Sequence, residues 1–335
     1  MSEKITFFGT HSYDRHLFTE INESKNYNFT LQYHRSFLDL HNASQTLGAK
    51  AVCIFVNDRA DRAVLEILAK NGVQLIALRC AGFNNVDLKA AADLGLHVVR
   101  VPAYSPYAIA EHVVALMLSL NRKTYRAYLR TRDGNFTLNG LMGFDLHGKT
   151  AGIIGTGKIA RILIQILKGF GMNILAYDIY PDAAYAQSAG IKYVSLDELY
   201  ANADVISLNC PLTAENTHLI NADAVAKMKP GVMIINTGRG PLIDTQALID
   251  GLKSGKIGSA GLDVYEDERT YFYQDKSDKV ITDDKLSHLL SYNNVLVTSH
   301  QAFFTREAMT NIVTTTLENC KDFFEKGVFD NEVKA

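Results

Sequence analysis

No stretch of the 335 residues reaches the 18 or more consecutive apolar side chains that a membrane-spanning helix needs, so no membrane association is expected. The opening Met1–Phe8 carries no apolar segment long enough for a secretory leader and reads as a first strand. Cysteine is scarce. Cys53, Cys80, Cys210 and Cys320 lie far apart, with neither C-x-x-C nor zinc-ligand spacing. A disulfide scaffold is thereby excluded, no metal is expected, and reduced thiols in a cytoplasmic protein are the default. An excess of one charge is also missing: 34 basic against 36 acidic residues leave a net charge of −2, with both signs spread along the chain. Without a basic face, nonspecific nucleic-acid binding is not expected. The length suits two domains, each with a core of its own.

What is present is a glycine fingerprint in mid-chain. In Thr150-Ala-Gly-Ile-Ile-Gly-Thr-Gly-Lys-Ile-Ala160, the residues Gly155, Gly157 and Ala160 fit G-x-G-x-x-G/A directly after a short β-like run. Gly155 permits a tight turn, Gly157 admits a pyrophosphate to the backbone, and Ala160 lets the helix lie close to the strand. The unpaired N–H groups and positive dipole end of that helix favour phosphate. Apolar residues at Ile159, Ile162, Leu163, Ile166, Leu167 and Phe170 have helical spacing. A second strand, Asn173–Tyr177, ends at Asp178, 23 residues after Gly155, where a carboxylate grips the ribose hydroxyls of NAD. The competing reading is a phosphate-binding P-loop, since Gly152 to Lys158 fits G-x-x-x-x-G-K. The next position must then be Ser or Thr to ligate magnesium, and it is Ile159. NAD is therefore the expected cofactor.

The first hundred residues alternate apolar runs (Ile5–Phe8, Phe29–Tyr33, Ala51–Val56, Leu75–Arg79, Val98–Val101) with helical stretches such as Ala63–Lys70 and Leu88–Leu94. Such alternation implies a parallel sheet covered by helices on both faces. Ser105 and Pro106 suit the N-cap and first position of a long helix, Tyr107–Leu120. A second β/α series begins at Thr150, with strands expected at 150–154, 173–177, 191–194, 204–208, 232–236, 259–263 and 295–298. A final helix is expected from Thr305 to Lys326. Little chain follows residue 300, so this helix is expected to pack on the first domain. The two domains would then be joined twice, which makes a hinge.

Three strand ends in the second half present reactive side chains. Val232–Asn236 runs into a glycine turn carrying Arg239, Gly261-Leu-Asp-Val-Tyr is followed by Glu266, Asp267 and Glu268, and Val295–Ser299 ends in His300. In a parallel sheet the C-terminal strand ends share one edge, where ligands bind. Arg239, an acid from 266–268 and His300 can thus meet there, and the residues themselves leave the choice of acid open. A histidine's ordinary titration range fits proton donation, an acid orients the imidazole, and an arginine fork matches a carboxylate.

With Leu78-Arg-Cys-Ala-Gly-Phe-Asn-Asn-Val-Asp87, Cys210-Pro-Leu-Thr-Ala-Glu-Asn216, Asn236-Thr-Gly-Arg-Gly240, Gly261-Leu-Asp-Val-Tyr-Glu266 and His300-Gln-Ala-Phe303, the chain resembles the NAD-dependent D-2-hydroxyacid dehydrogenases over nearly its whole length. One departure is Ala160, where many of that family carry glycine. The resemblance implies an α/β protein of two domains. A Rossmann doubly wound parallel sheet (104–300) would be inserted in a flavodoxin-like substrate domain (1–103 and 301–335). It also implies Arg239, Glu268 and His300 as catalytic residues. Further NAD contacts would be Lys158, Ile159, Cys210, Pro211, Asn216, Thr237, Gly238 and Asp263, although Asp263 could instead cap the segment that follows it. The loop through Ala81 and Gly82 resembles the one that offers backbone N–H groups to the substrate carboxylate.

Phe55 by resemblance, and Tyr104 and Phe303 at the expected crossings, would contact the substrate side chain. Three large aromatics favour pyruvate, reduced to D-lactate, over a larger 2-keto acid. An NAD(H)-sensing, corepressor-like protein of the same fold would not need all three catalytic side chains. A short-chain dehydrogenase needs Tyr-x-x-x-Lys, which none of the 16 tyrosines begins. An L-lactate dehydrogenase would carry its glycine fingerprint near the N-terminus. A homo-oligomer, dimer or tetramer, is expected.

Overall fold

The computed structural model describes residues 2–327 and 330–334. In chain order its strands and helices begin with β1 (Lys4–Phe7), α1 (Ser12–Ser24), β2 (Thr30–Tyr33), β3 (Ala51–Ile54), α2 (Arg62–Lys70), β4 (Leu75–Leu78), α3 (Leu88–Asp93) and β5 (His97–Arg100). They continue with α4 (Pro106–Arg122), α5 (Thr124–Arg132), β6 (Thr150–Ile154), α6 (Lys158–Gly169), β7 (Asn173–Tyr177), α7 (Ala183–Ala189), β8 (Lys192–Tyr193), α8 (Leu196–Asn202) and β9 (Val205–Leu208). The series closes with α9 (Ala222–Lys227), β10 (Val232–Asn236), α10 (Thr245–Lys253), β11 (Ile257–Leu262), α11 (Asp284–Ser291), β12 (Val295–Val297) and α12 (Arg306–Lys326). The chain divides into two compact units, Met1–Ser105 with Phe304–Ala335, and Pro106–Phe303.

In the first unit five strands pair in parallel in the order β2-β1-β3-β4-β5, the flavodoxin-like arrangement. Every residue of β3 is buried, as a strand covered on both faces requires. Its side chains alternate between two cores. Ala51 and Cys53 pack with Phe18 of α1 and with Val313, Leu317 and Cys320 of α12. Val52 and Ile54 pack with Val64, Leu65 and Leu68 of α2 and Ala90 of α3.

The second unit holds seven parallel strands in the order β12-β11-β10-β9-β6-β7-β8. Counted from β6, that is the doubly wound Rossmann order with one strand added at the far edge. Alternation again builds two layers. Val232 and Ile234 of β10 join the core under α8 to α11, while Met233 and Ile235 join the core under α4 and α6. Most strands differ from the expected bounds by one or two residues, and two of them have a local reason. β11 starts at Ile257, whose buried side chain anchors the strand early opposite Val232. β8 shrinks to Lys192–Tyr193, because this edge strand pairs only with Leu175 and Ala176.

Candidate active site

The strand order of the second sheet reverses between β9 and β6, and there the chain turns at Gly155. Its φ is +87°, and a β-carbon would stand 2.7 Å from the Cys210 nitrogen, so both conformation and space demand glycine. Gly157 follows as the exposed N-cap of α6, with no side-chain cap and nothing within 4 Å of where a β-carbon would sit. Lys158 is exposed and Ile159 half-buried, whereas Ala160 packs in the core beneath the helix.

At the end of β7, Asp178 is tied to this turn. One carboxylate oxygen accepts from the Thr156 N–H at 2.7 Å and the Thr156 hydroxyl at 2.8 Å, and the other accepts from the Tyr180 N–H at 2.9 Å. Burial pushes the Asp178 carboxyl up, but these bonds outweigh it and hold the group below the usual carboxylate range. An ionised acid beside an open helix N-terminus and a bare glycine turn fits a dinucleotide's ribose and pyrophosphate. Cys210 and Pro211 follow β9 at the same edge. Asn216 closes their loop, donating from Nδ2 to the Pro211 carbonyl at 2.7 Å and accepting from the Thr213 N–H at 2.7 Å.

After β10, Thr237, Gly238 and Arg239 form a turn organised by Asn236, a residue that pattern reading passed over as the last of a strand. Its buried side chain accepts from the Gly238 N–H at 3.0 Å and donates to the Arg239 carbonyl at 2.9 Å. Arg239 donates from Nη1 to the Gly238 carbonyl at 2.8 Å and has no carboxylate partner among the described residues. A β-carbon on Gly240 would fall 2.1 Å from the Tyr265 backbone, so only glycine lets the Arg239 turn lie against residues 265–266.

The three rival acids separate in space. Asp267 is exposed. Glu266 turns to His218, whose Nε2 is 2.6 Å from its Oε1, and accepts from the Thr245 hydroxyl at 2.7 Å. Glu268 reaches His300: Oε1 lies 2.9 Å from Nδ1, and Oε2 accepts from the Tyr265 N–H at 3.2 Å. Both side chains of this pair are mostly buried, at 17% exposed for His300 and 19% for Glu268. His300 has a left-handed backbone, φ +52°, and its N–H donates to the Asp263 carbonyl at 2.7 Å.

Asp263 is wholly buried and its carboxylate is occupied within the chain. It accepts from the Thr298 hydroxyl at 2.5 Å and from the N–H groups of Gln301 and Ala302 at 2.9 Å each, with His112 Nε2 at 3.4 Å. Burial raises its pKa, yet the bonds from His112, Thr298 and Ala302 and the charge of His300 bring it below the usual range. Its place in the structure is that of an anchor for the loop that carries His300.

Of the residues expected at the substrate, Phe55, Ala81, Gly82 and Tyr104 belong to the first unit and Phe303 to the second. The Phe55 ring lies 5.1 Å from the buried Arg79 guanidinium. The Ala81 carbonyl accepts from Arg100 at 2.9 Å, and the Gly82 carbonyl from the Cys80 thiol at 3.2 Å. The Tyr104 carbonyl accepts from Asn311 at 2.7 Å. Phe303 is buried. Among the described residues no group of three or more His, Cys, Asp or Glu could hold a metal ion, and no helix is long and apolar enough to cross a membrane.

Residues 114–302 match the family described as D-isomer specific 2-hydroxyacid dehydrogenase, NAD binding domain. The chain is 57% identical to a 2-hydroxyacid dehydrogenase homolog of Haemophilus influenzae, over 94% of this chain and 95% of that one. It is 56% identical to the D-lactate dehydrogenase of Escherichia coli, over 97% of each chain. The apo-structure of D-lactate dehydrogenase from Escherichia coli superposes with a TM-score of 0.89 at 52% identity, covering 98% of this chain and 99% of that one.

Proposed function

The chain belongs to the D-isomer-specific 2-hydroxyacid dehydrogenases, NAD-dependent oxidoreductases, and we propose that it reduces pyruvate to D-lactate with NADH. The observation that carries this reading is the Glu268–His300 pair, 2.9 Å apart, on the sheet edge that also presents Arg239, which has no acidic partner among the described residues. Asp178 would accept the ribose hydroxyls, and the N-terminus of α6 at Gly157 would take the pyrophosphate. NADH held there would supply the hydride for the new C–H bond at the keto carbon. His300 gives its Nε2 proton to the carbonyl oxygen as charge develops there, which completes the alcohol. Glu268 holds Nδ1, so the imidazole keeps one orientation. Arg239 binds the substrate carboxylate through its planar fork and offers positive charge to the neighbouring oxygen. Lactate oxidation runs the same steps in reverse, with neutral His300 accepting the hydroxyl proton.

The preference for pyruvate is supported by the 56% identity to a D-lactate dehydrogenase. A methylene changes discrimination by only about 1–3 kcal/mol, so 2-ketobutyrate is a weaker substrate rather than an excluded one. Association with a second copy is supported by side chains of and after α5: Leu129 is 59% exposed, Phe136 76%, Leu138 82% and Met142 87%. A cytoplasmic setting fits four cysteines that form no disulfide among the described residues.

The test follows NADH oxidation with pyruvate, phenylpyruvate and hydroxypyruvate, and assigns the chirality of the product. Pyruvate should give the highest kcat/KM and D-lactate only. A higher kcat/KM for either larger acid, or any L-lactate, overturns the proposal.

A further inference from the structure

We propose that Tyr273 is a positioning residue for the proton donor: its hydroxyl holds the carbonyl of His300 and so keeps the imidazole against Glu268. The inference rests on the reading of His300 as the donor. Both residues adopt the left-handed backbone, with φ +62° at Tyr273 and +52° at His300, a region that side-chain-bearing residues occupy only when their surroundings impose it. Three tethers impose it on His300. The Asp263 carbonyl takes its N–H at 2.7 Å, the Tyr273 hydroxyl donates to its carbonyl at 2.8 Å, and Glu268 meets its Nδ1 at 2.9 Å.

Two of those tethers come from one short segment. Glu268–Thr270 is a single 3-10 turn, and the N–H groups of Tyr271 and Phe272 donate back to the Glu268 carbonyl at 3.1 and 2.9 Å. Phe272 is buried in the core beneath, and the Tyr271 hydroxyl accepts the N–H groups of Thr282 and Asp283 at 3.1 and 3.0 Å. The segment is therefore pinned immediately before Tyr273, and it grips His300 at the imidazole and at the main chain together. A carbonyl released by Tyr273 can turn, the backbone of His300 relaxes out of the left-handed region, and the Cα–Cβ bond swings the ring away from Glu268. Packing alone would be met by phenylalanine, so the hydroxyl is the separable part. The titratable groups facing His300 are Glu268 from the 3-10 turn, Tyr273 itself, and Asp263 from the end of β11, with His112 of α4 3.4 Å from the Asp263 carboxylate.

Five proteins decide the matter: the unmodified chain, Tyr273→Phe, Glu268→Gln, the double variant and His300→Asn. For Tyr273→Phe we expect kcat for pyruvate reduction to fall about three- to tenfold, the scale of one hydrogen bond, while pyruvate KM and NADH affinity change less than about twofold. In the Glu268→Gln background the same substitution should change kcat less than about twofold, since its effect runs through that pair. An unchanged kcat, full additivity in the double variant, or a loss of NADH affinity and melting temperature parallel to the loss of kcat overturns the inference. His300→Asn separates the two layers. If it retains turnover, the reading of His300 and this inference fall together. If it is inactive while Tyr273→Phe behaves as the unmodified chain, only the inference falls.

Discussion

The carboxylates of Glu266 and Glu268 stand two residues apart yet serve different histidines: Glu266 meets His218 at 2.6 Å and Glu268 meets His300 at 2.9 Å. The first pair braces the backbone beside Gly240, and Glu266 is held ionised. Burial raises its pKa, but bonds from Thr245 and His218 bring it below the usual range. Only the second pair reaches the strand end where β12 delivers its histidine.

Glu268→Gln should therefore lower kcat for pyruvate reduction, because Nδ1 of His300 loses the carboxylate that fixes the ring's orientation. The loss should be about tenfold or more, within the roughly 10²–10⁴ that a positioned general acid supplies. NADH affinity, followed by fluorescence titration, should hold. A glutamine variant with unchanged kcat assigns the chemistry to another pair.

Asp178→Ala should relax the preference for NADH over NADPH. In the proposed reading the carboxylate accepts the ribose hydroxyls and repels a 2′-phosphate, and Ile179, Tyr180 and Pro181 supply no cation to offset that repulsion. The substitution also strips an acceptor from the Thr156 and Tyr180 N–H groups, so NADH affinity should fall while NADPH affinity changes little. Because the folded pKa of Asp178 is lowered, the preference should persist as pH drops through the ordinary carboxylate range. Equal kcat/KM for both cofactors in the unmodified protein contradicts the assignment.

Arg239→Lys should weaken pyruvate binding and slow the chemical step, because an ammonium cannot give the two parallel hydrogen bonds of a guanidinium. The combined loss in kcat/KM should be roughly 10²–10³, the scale of removing one electrostatic interaction from a closed site. NADH affinity, followed by fluorescence titration, should hold. A lysine variant that turns over normally, or loses NADH as severely as pyruvate, removes Arg239 from the role of substrate clamp.

Asp263→Asn should cost on the order of 2–4 kcal/mol of stability, since the amide nitrogen cannot accept from the donors that converge on this buried carboxylate. The sign of its pH dependence follows from a folded pKa below the unfolded one. The contribution is complete above the unfolded carboxylate range and is lost as pH falls through the lowered folded value. Denaturant unfolding at neutral and acid pH should thus show a gap between the two proteins that narrows in acid. A constant gap means that Asp263 does not titrate with folding.

The β/α alternation, the glycine turn with its acid at Asp178, and the delivery of Arg239 and His300 by strand ends were all legible in the amino-acid order. Each of these is written in local periodicity and in spacings along one chain segment. Helix α5 was not legible, because it buries no residue and so leaves no apolar stripe to read. Nor could the residues alone choose among Glu266, Asp267 and Glu268, or show that Asp263 anchors the His300 loop or that Tyr273 holds its carbonyl. Those outcomes depend on which way a side chain leaves a turn and on which distant segment packs there. The close approach that Gly240 permits to residues 265–266 and the left-handed backbone of His300 are fixed only when strands far apart in sequence lie side by side.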